Sequence, residues 1–302
     1  MPVLQNYDDT NKLEEVFRTV ITVTPWETPF MSGIGKRRIS STIDQWPQAT
    51  LLVGSHNAVI EGATHTYGTI TAPVRITNLT QIFKKTYLVS STEIALKGAG
   101  VDDMFLYQKL QAMKEIGTDI ELSLLHGSLA SGTGSLARQL AGAVNFITTN
   151  ATAVASGTKL TESFFNGLTQ NCWTQGGMPN EVYVGGQLKR VITAFTASST
   201  LYTDRSDRRL INAVSVYEND FTLMRVIPSR RVNSTTNSNA TCLIVSAQMW
   251  KMGVLEPLKN LDKDEIAQNV DGQAGAIRGE LTLEAKAQQH SAVATGLDTT
   301  FN

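Results

Sequence analysis

The sequence is poor in the residues that most site chemistry requires. Two cysteines, Cys172 and Cys242, and four histidines, His56, His65, His126 and His290, are spread over 302 residues. No HExxH or paired Cys/His spacing joins them, so the common zinc patterns are missing. No GxSxG marks a nucleophile elbow. Two cysteines far apart make no disulfide framework, and the expectation is two buried free thiols. Charge of one sign is absent too: 26 Lys and Arg face 27 Asp and Glu, for a net charge of −1. That argues against a strongly basic nucleic-acid binder. No apolar run approaches the ~20 residues of a membrane-spanning helix. The opening MPVLQNYDDTNKLEE is acidic and polar, unlike a signal peptide.

The remaining chemical candidates are weak. GTGSLA at 132–137 matches a permissive dinucleotide pattern but follows a helix where that motif needs a strand. GIGKRR at 33–38 lacks the spacing and the Ser/Thr of a phosphate loop, and reads as a hinge with a basic cluster. Glu115 and Asp119 stand one helical turn apart but belong to a charged helix face, which is normally solvated. No catalytic, cofactor-binding or metal-binding residue is therefore expected, and no enzyme.

What is present is material for packing. The chain is 41% hydrophobic, enough for a sizeable core in one large or two ordinary domains. Residues 9–21 predict a short helix with Leu13, Val16, Phe17 and Val20 on one side. TVTPWETPFMSGIGKRR, 22–38, sets Trp26 and Phe30 among prolines and predicts an extended, turning arm. Residues 39–90 hold short β-rich pieces without a helix, and such an excursion needs a partner surface to cover it. Val101–Leu129 contains no proline, and Leu106, Leu110, Met113, Gly117, Ile120 and Leu124 recur at helical spacing. This predicts a helix of ~42 Å.

Residues 140–242 read as mixed α/β, with helices at ESFFNGLTQNCWTQG and QLKRVITAFTASS. Strands are expected at NEVYVGG, AVSVYEND and FTLMRVIPSRRV. GAIRGELTLEAKAQQ alternates apolar and polar over twelve positions, a strand of ~40 Å with one buried face. The long helix and the long strand match in length and would lie side by side, apolar stripe on apolar face. A slender scaffold with an extended arm and a long hairpin buries itself poorly and suits a subunit completed by its neighbours. Trp26, Phe30 and Trp46 are large aromatics of the kind that anchor interfaces.

Several segments, in this order and spacing, resemble the major capsid proteins of tailed bacteriophages with the HK97 fold, and within them the SU10-like group. They are TPWETPF (24–30), STIDQW (41–46), IEGA (60–63), RITNLTQIFKKTYLVSSTEIALKGAG (75–100) and TDIELSLLHG (118–127). AVSVYENDF (213–221) and IRGELTLEAKAQQHSAVATGL (277–297) complete the set. The resemblance implies an α+β fold with an N-terminal arm at 1–35 and an E-loop with flanking strands at 36–90. It implies a P-domain at 91–139 and 262–302, built on a spine helix 101–129 and long β-strands, and an A-domain at 140–261. It implies self-assembly into pentamers and hexamers of an icosahedral shell around non-specifically held double-stranded DNA, in the virion, after assembly in the host cytoplasm. It implies inter-subunit contacts through Trp26, Pro29, Phe30, Trp46, Glu61 and Arg75. Portal, scaffold and cement proteins are the implied partners, with no cofactor and no membrane. An encapsulin-like compartment of the same fold is the alternative. An orphan hydrolase using Glu115 and Asp119, or His126, is a distant one.

Some relatives of that group cross-link an E-loop lysine to a neighbour's asparagine. Between Ile39 and Phe83 there is no lysine. The expected outcome is a single monomer band when assembled protein is boiled and run on a denaturing gel; a ladder of covalent multimers refutes it.

Overall fold

A computed structural model describes residues 24–65, 67–68, 70–96, 103–155, 157–195, 216–233, 240–261 and 271–298. The helix expected over 9–21 lies outside these residues, as does most of the polar loop 233–240. The described chain forms two units. One holds residues 24–26, 84–116 and 259–278, and the other holds 27–83, 117–258 and 279–298, in each case as far as they are described.

The longest helix, here α3, runs Met104–His126; helices α1 and α2 precede it at Pro29–Gly33 and Ser91–Ala95. Its 23 residues give ~35 Å, shorter than expected. The Asp103 carboxylate accepts from the Leu106 N–H at 3.0 Å, satisfying a first-turn donor. The far end stops by close packing: a Cβ on Gly142 would lie 2.5 Å from the Gly127 nitrogen. Asn145 Nδ2 donates to the carbonyls of His126 and Gly127, each at 2.9 Å. The buried row is Ala112, Ile116, Ile120 and Leu124, whereas Leu106, Leu110 and Met113 of the expected stripe are about half exposed. The correction is one of phase. A strict four-residue step buries the second half of the helix, and the first three apolar residues fall off that row.

Helix α1 corrects the expected extended arm. Pro29 occupies the first helical position, where its missing N–H costs nothing. The N-cap Thr28 makes no side-chain cap. Instead Glu121 of α3 accepts from the Phe30 N–H at 2.8 Å and the Met31 N–H at 2.7 Å. A carboxylate from another element thus caps a helix too short to hold itself. Phe30 packs edge-on against Tyr183 and Trp250, with centroids 5.3 and 6.4 Å away.

Strands β1 (Gly35–Arg38), β2 (Ile43–Gln48), β3 (Val74–Leu79) and β4 (Gln81–Ser90) follow the arm. β2 and β3 pair antiparallel from Ile43↔Leu79 to Gln48↔Val74 as an isolated ribbon. After α4 (Ala143–Phe146) come β5 (Ala151–Ala153), α5 (Glu162–Thr174), β6 (Glu181–Val184) and α6 (Gly186–Phe195). Next are β7 (Val216–Glu218), β8 (Leu223–Pro228), β9 (Ala240–Val245), β10 (Trp250–Leu261), β11 (Gly272–Ala285) and β12 (Ala292–Leu297). One sheet has the order β1-β10-β11-β4, the other β5-β12-β9-β6-β8-β7.

The core of the six-stranded sheet joins Phe165, Leu168 and Cys172 of α5 to Leu188 and Ile192 of α6, over Val182, Val184, Cys242 and Ile244. Both cysteines are buried and free, and burial pushes each thiol up to about 12. Neither is poised as a thiolate.

β10 belongs to the four-stranded sheet and β12 to the six-stranded one. The 3-10 turns Ala247–Met249 and Gln288–His290 carry the chain between sheets just before β10 and just before β12. β11 departs further from expectation. Its 14 residues are buried on both faces from Gly275 onward apart from a partly exposed Arg278, so the polar positions of the alternating pattern do not face water.

Two outcomes follow from the arm's seat. A Cβ on Gly33 would meet Tyr183 Oη at 2.3 Å and Glu181 Oε2 at 2.9 Å. Gly33→Ala is expected to destabilise by about 1–3 kcal/mol in chemical denaturation. Burial raises the Glu121 carboxyl above its ordinary value against the opposing pull of two backbone donors. The folded state therefore binds this proton more tightly than the unfolded one. The resulting stability is complete below the unfolded carboxyl's pKa and is lost as pH rises through the raised folded value. Relative to wild type, Glu121→Gln should gain stability across that rise; urea titrations at stepped pH read it directly.

Candidate assembly surfaces

Every described residue between the two strands of the ribbon, 49–73, is exposed. Leu51, Val53, Tyr67 and Ile70 each show more than 90% of their surface, and Leu52 and Ile60 nearly as much. A monomer rarely leaves such a run bare unless something covers it. Glu61 sits at the second position of a turn closed by the Ala63 N–H to the Ile60 carbonyl, 3.1 Å. Gly62 supplies the positive φ of +82° at the third, as a type II turn requires. Arg75 is exposed on β3, across from Pro47.

The ribbon's other end is locked. Trp46 stacks on Phe146 at 5.9 Å, and Phe146 meets Trp250 edge-on at 6.3 Å. With Phe30 and Tyr183 these rings form one aromatic row from the ribbon to the arm, buried apart from the partly exposed Phe146. Asn78 Nδ2 donates to the Leu283 and Ala141 carbonyls at 2.7 and 3.1 Å, while its Oδ1 accepts from the Ala141 N–H at 2.9 Å. Around this amide lie two charge clusters. Arg37 reaches Asp44 of β2 at 2.5 and 2.6 Å and pairs with Glu284 of β11. Arg138 pairs with Glu280 of β11, which also accepts from Thr80 Oγ1 at 2.5 Å. The lysine-arginine run read as a hinge is thus strand β1, with Arg37 built into a buried network.

The six residues expected at subunit contacts divide accordingly. Phe30 and Trp46 are buried within their own chain, where both rings join the aromatic row. Trp26 is 57% exposed, with Lys114 Nζ 5.7 Å from its ring centroid. Pro29 is partly buried, and Glu61 and Arg75 are free at the surface. No pairing was expected for Arg37, Asp44, Arg138, Glu280 and Glu284 from the sequence. The signal available was a pair of carboxylates four residues apart on one long central strand, which demands buried cations elsewhere.

The hydrolase residues are otherwise engaged. Glu115 pairs with Lys85 at 3.1 Å. His126 Nε2 lies 2.8 Å from the Val232 carbonyl and 3.2 Å from that of Arg231, so this nitrogen carries the proton. Burial lowers its basicity. Among the described residues no group of three His, Cys, Asp or Glu could hold a metal ion, and no helix is long and apolar enough to cross a membrane.

Known proteins agree with this architecture. The family model for the SU10 major capsid protein matches residues 3–298. The chain is 33% identical over 123 residues to the major capsid protein of Escherichia phage Phieco32; the match covers 40% of this chain and about a third, 35%, of that protein. Among solved structures it is similar to the capsid of a native GTA particle, at TM-score 0.66 and 10% identity over 97% of this chain and 98% of that one. It is also similar to the holo-SrpI encapsulin complex from Synechococcus elongatus PCC 7942, at TM-score 0.58 and 11% identity over 100% and 98%. Likenesses at such identity show the fold alone, the α+β HK97 type. With a family model spanning nearly its whole length, the chain belongs to the SU10 major capsid protein family.

Proposed function

We propose that this chain is the subunit of an icosahedral head shell that encloses a phage genome, and that its activity is self-assembly. The carrying observation is the bare 49–73 excursion: large apolar side chains held in water by a ribbon whose base is fully packed. Covering one such side chain is worth about 1.5–3 kcal/mol, and a closed symmetric shell repeats each contact at every subunit. Copies meet as pentamers and hexamers. Trp26, Pro29, Glu61 and Arg75 are the proposed contacts; Phe30 and Trp46 act one step behind, fixing the arm and the ribbon that present them. A portal protein, scaffold or cement proteins and non-specifically held double-stranded DNA are the proposed further partners, with assembly in the host cytoplasm before residence in the virion. The likeness to an encapsulin supports a second reading, a compartment shell around protein cargo. Family membership favours the first.

Negative-stain microscopy of the purified protein is expected to show closed shells, and nucleic acid against protein inside them separates the two readings. Trp26→Ala and Ile60→Asp should each keep the circular dichroism of the wild-type subunit while cutting shell yield about tenfold or more, the effect of ~1.4 kcal/mol per contact. Normal particles from both variants, or a lost fold, count against the contacts; a wild-type chain that stays a 33-kDa monomer under all conditions refutes the shell.

A further inference from the structure

We infer that Glu280, Thr282 and Glu284, on one face of β11, are positioning residues that set the direction in which the β2–β3 ribbon carries residues 49–73, and with it the uniformity of the shell. The inference rests on the shell reading. Positions i, i+2 and i+4 of a strand share a face, and here each reaches the same end of the ribbon. Glu280 accepts from Thr80 Oγ1 at 2.5 Å, and its partner Arg138 donates from Nε to the Thr80 carbonyl at 2.6 Å. Thr282 Oγ1 donates to the carbonyl of Leu79, the last residue of β3, at 2.7 Å. Glu284 pairs with Arg37, which holds Asp44 near the start of β2. Both strands are therefore gripped at the end away from the excursion.

Charge, not grease, makes this grip directional. Apolar contact depends on area and tolerates sliding. A buried guanidinium–carboxylate pair depends on alignment, and displacing it leaves a charge desolvated without a partner. All five charged members are less than one-third exposed, and the five carboxylate-bearing or hydroxyl positions Asp44, Thr80, Glu280, Thr282 and Glu284 are buried. The described part of 49–73 is exposed throughout, so direction has to come from the ribbon, held by this charge grip at its base and by the Gln48 Nε2 to Gln289 Oε1 hydrogen bond, 2.8 Å, beside the excursion. Leverage magnifies it: a ribbon of six paired residues spans ~20 Å, and a 10° turn at its base moves its end by about 3–4 Å. An error of that size at every subunit prevents one repeated contact geometry from closing.

The test separates direction from stability. Buried ion pairs replaced together by apolar residues commonly leave stability unchanged or higher. The triple variant Arg37→Met, Asp44→Val, Glu284→Leu is prepared with nitroxide labels on Thr77→Cys and Gln170→Cys, both exposed positions; native Cys172 and Cys242 are buried and escape labelling. Labelled protein is diluted with unlabelled protein, so that pulsed electron resonance reads distances within one chain. The expected result is cooperative melting at or near the wild-type temperature, a label–label distribution about twofold broader, and shells of mixed diameter or none. A distribution as narrow as wild type, or uniform shells despite a broad one, overturns the inference. Should the triple variant not fold, Glu280→Gln is read against the same two outcomes, and Arg37→Lys, which keeps the charge but loses the fork, should fall between it and wild type. Wild-type protein that never assembles refutes the shell reading instead, and the distance measurement still judges the grip.

Discussion

A long strand that is buried on both faces while carrying two glutamates four residues apart on one of them sets the terms for its surroundings. Glu280 and Glu284 of β11 lie in the interior, and an ionised carboxylate there is tolerated only beside a cation and further donors. Arg138 and Arg37 supply the charge, Thr80 and Asp44 fill out the geometry, and these residues come from segments well over a hundred positions away. The cost of leaving any one of them unpaired ties strand β1, the ribbon and the 127–142 turn to β11 more specifically than apolar contact would. The fold of this region is thus assembled around a charge requirement, with the hydrophobic contacts filling the space that remains.

The aromatic row adds what charge alone does not. Trp46, Phe146, Trp250, Phe30 and Tyr183 succeed each other at centroid separations of 5.3 to 6.4 Å. Edge-on and offset contacts of this kind contribute beyond their buried area. The row joins the ribbon's base to α1, whose five residues could not persist without the Phe30 anchor and the Glu121 cap. Arm and ribbon, the two parts that leave apolar side chains in water, are thereby mounted on the same buried frame.

Elements with one strong local period were legible. α5 begins at the Thr161 cap and ends one residue before Gln175, β6 occupies EVYV, and α6 forms at Gly186–Phe195, overlapping the expected helical stretch, because each pattern is set by neighbours three or four residues away or by strict burial. The phase of α3 was misread, since its leucines and its buried row differ by a fraction of a turn and only the tertiary partner chooses between them. The polar face of β11 was misread for the same reason: alternation shows two faces but says nothing of what lies over the polar one. Phe30 and Trp46 were legible as anchors, but whether an anchor binds within the chain or beyond it depends on distances that no local pattern holds.

This division bears on what can be a contact at all. A subunit that binds copies of itself must keep its own interior closed while leaving a matching surface open, and the two demands compete for the same large side chains. Here the competition is resolved by position along the ribbon. Near β11, where both strands are gripped, the aromatic is turned inside; between Gln48 and Val74 the described residues make no regular structure and their leucines, valines and isoleucines face water. Moving one anchor outward would open a cavity at the base, costing about 3–5 kcal/mol for a large aromatic, and would loosen the lever that aims the rest. The exposed residues can bind weakly and reversibly one at a time because the buried ones fix where they point. A symmetric shell needs that combination: many modest contacts, each presented in the same orientation.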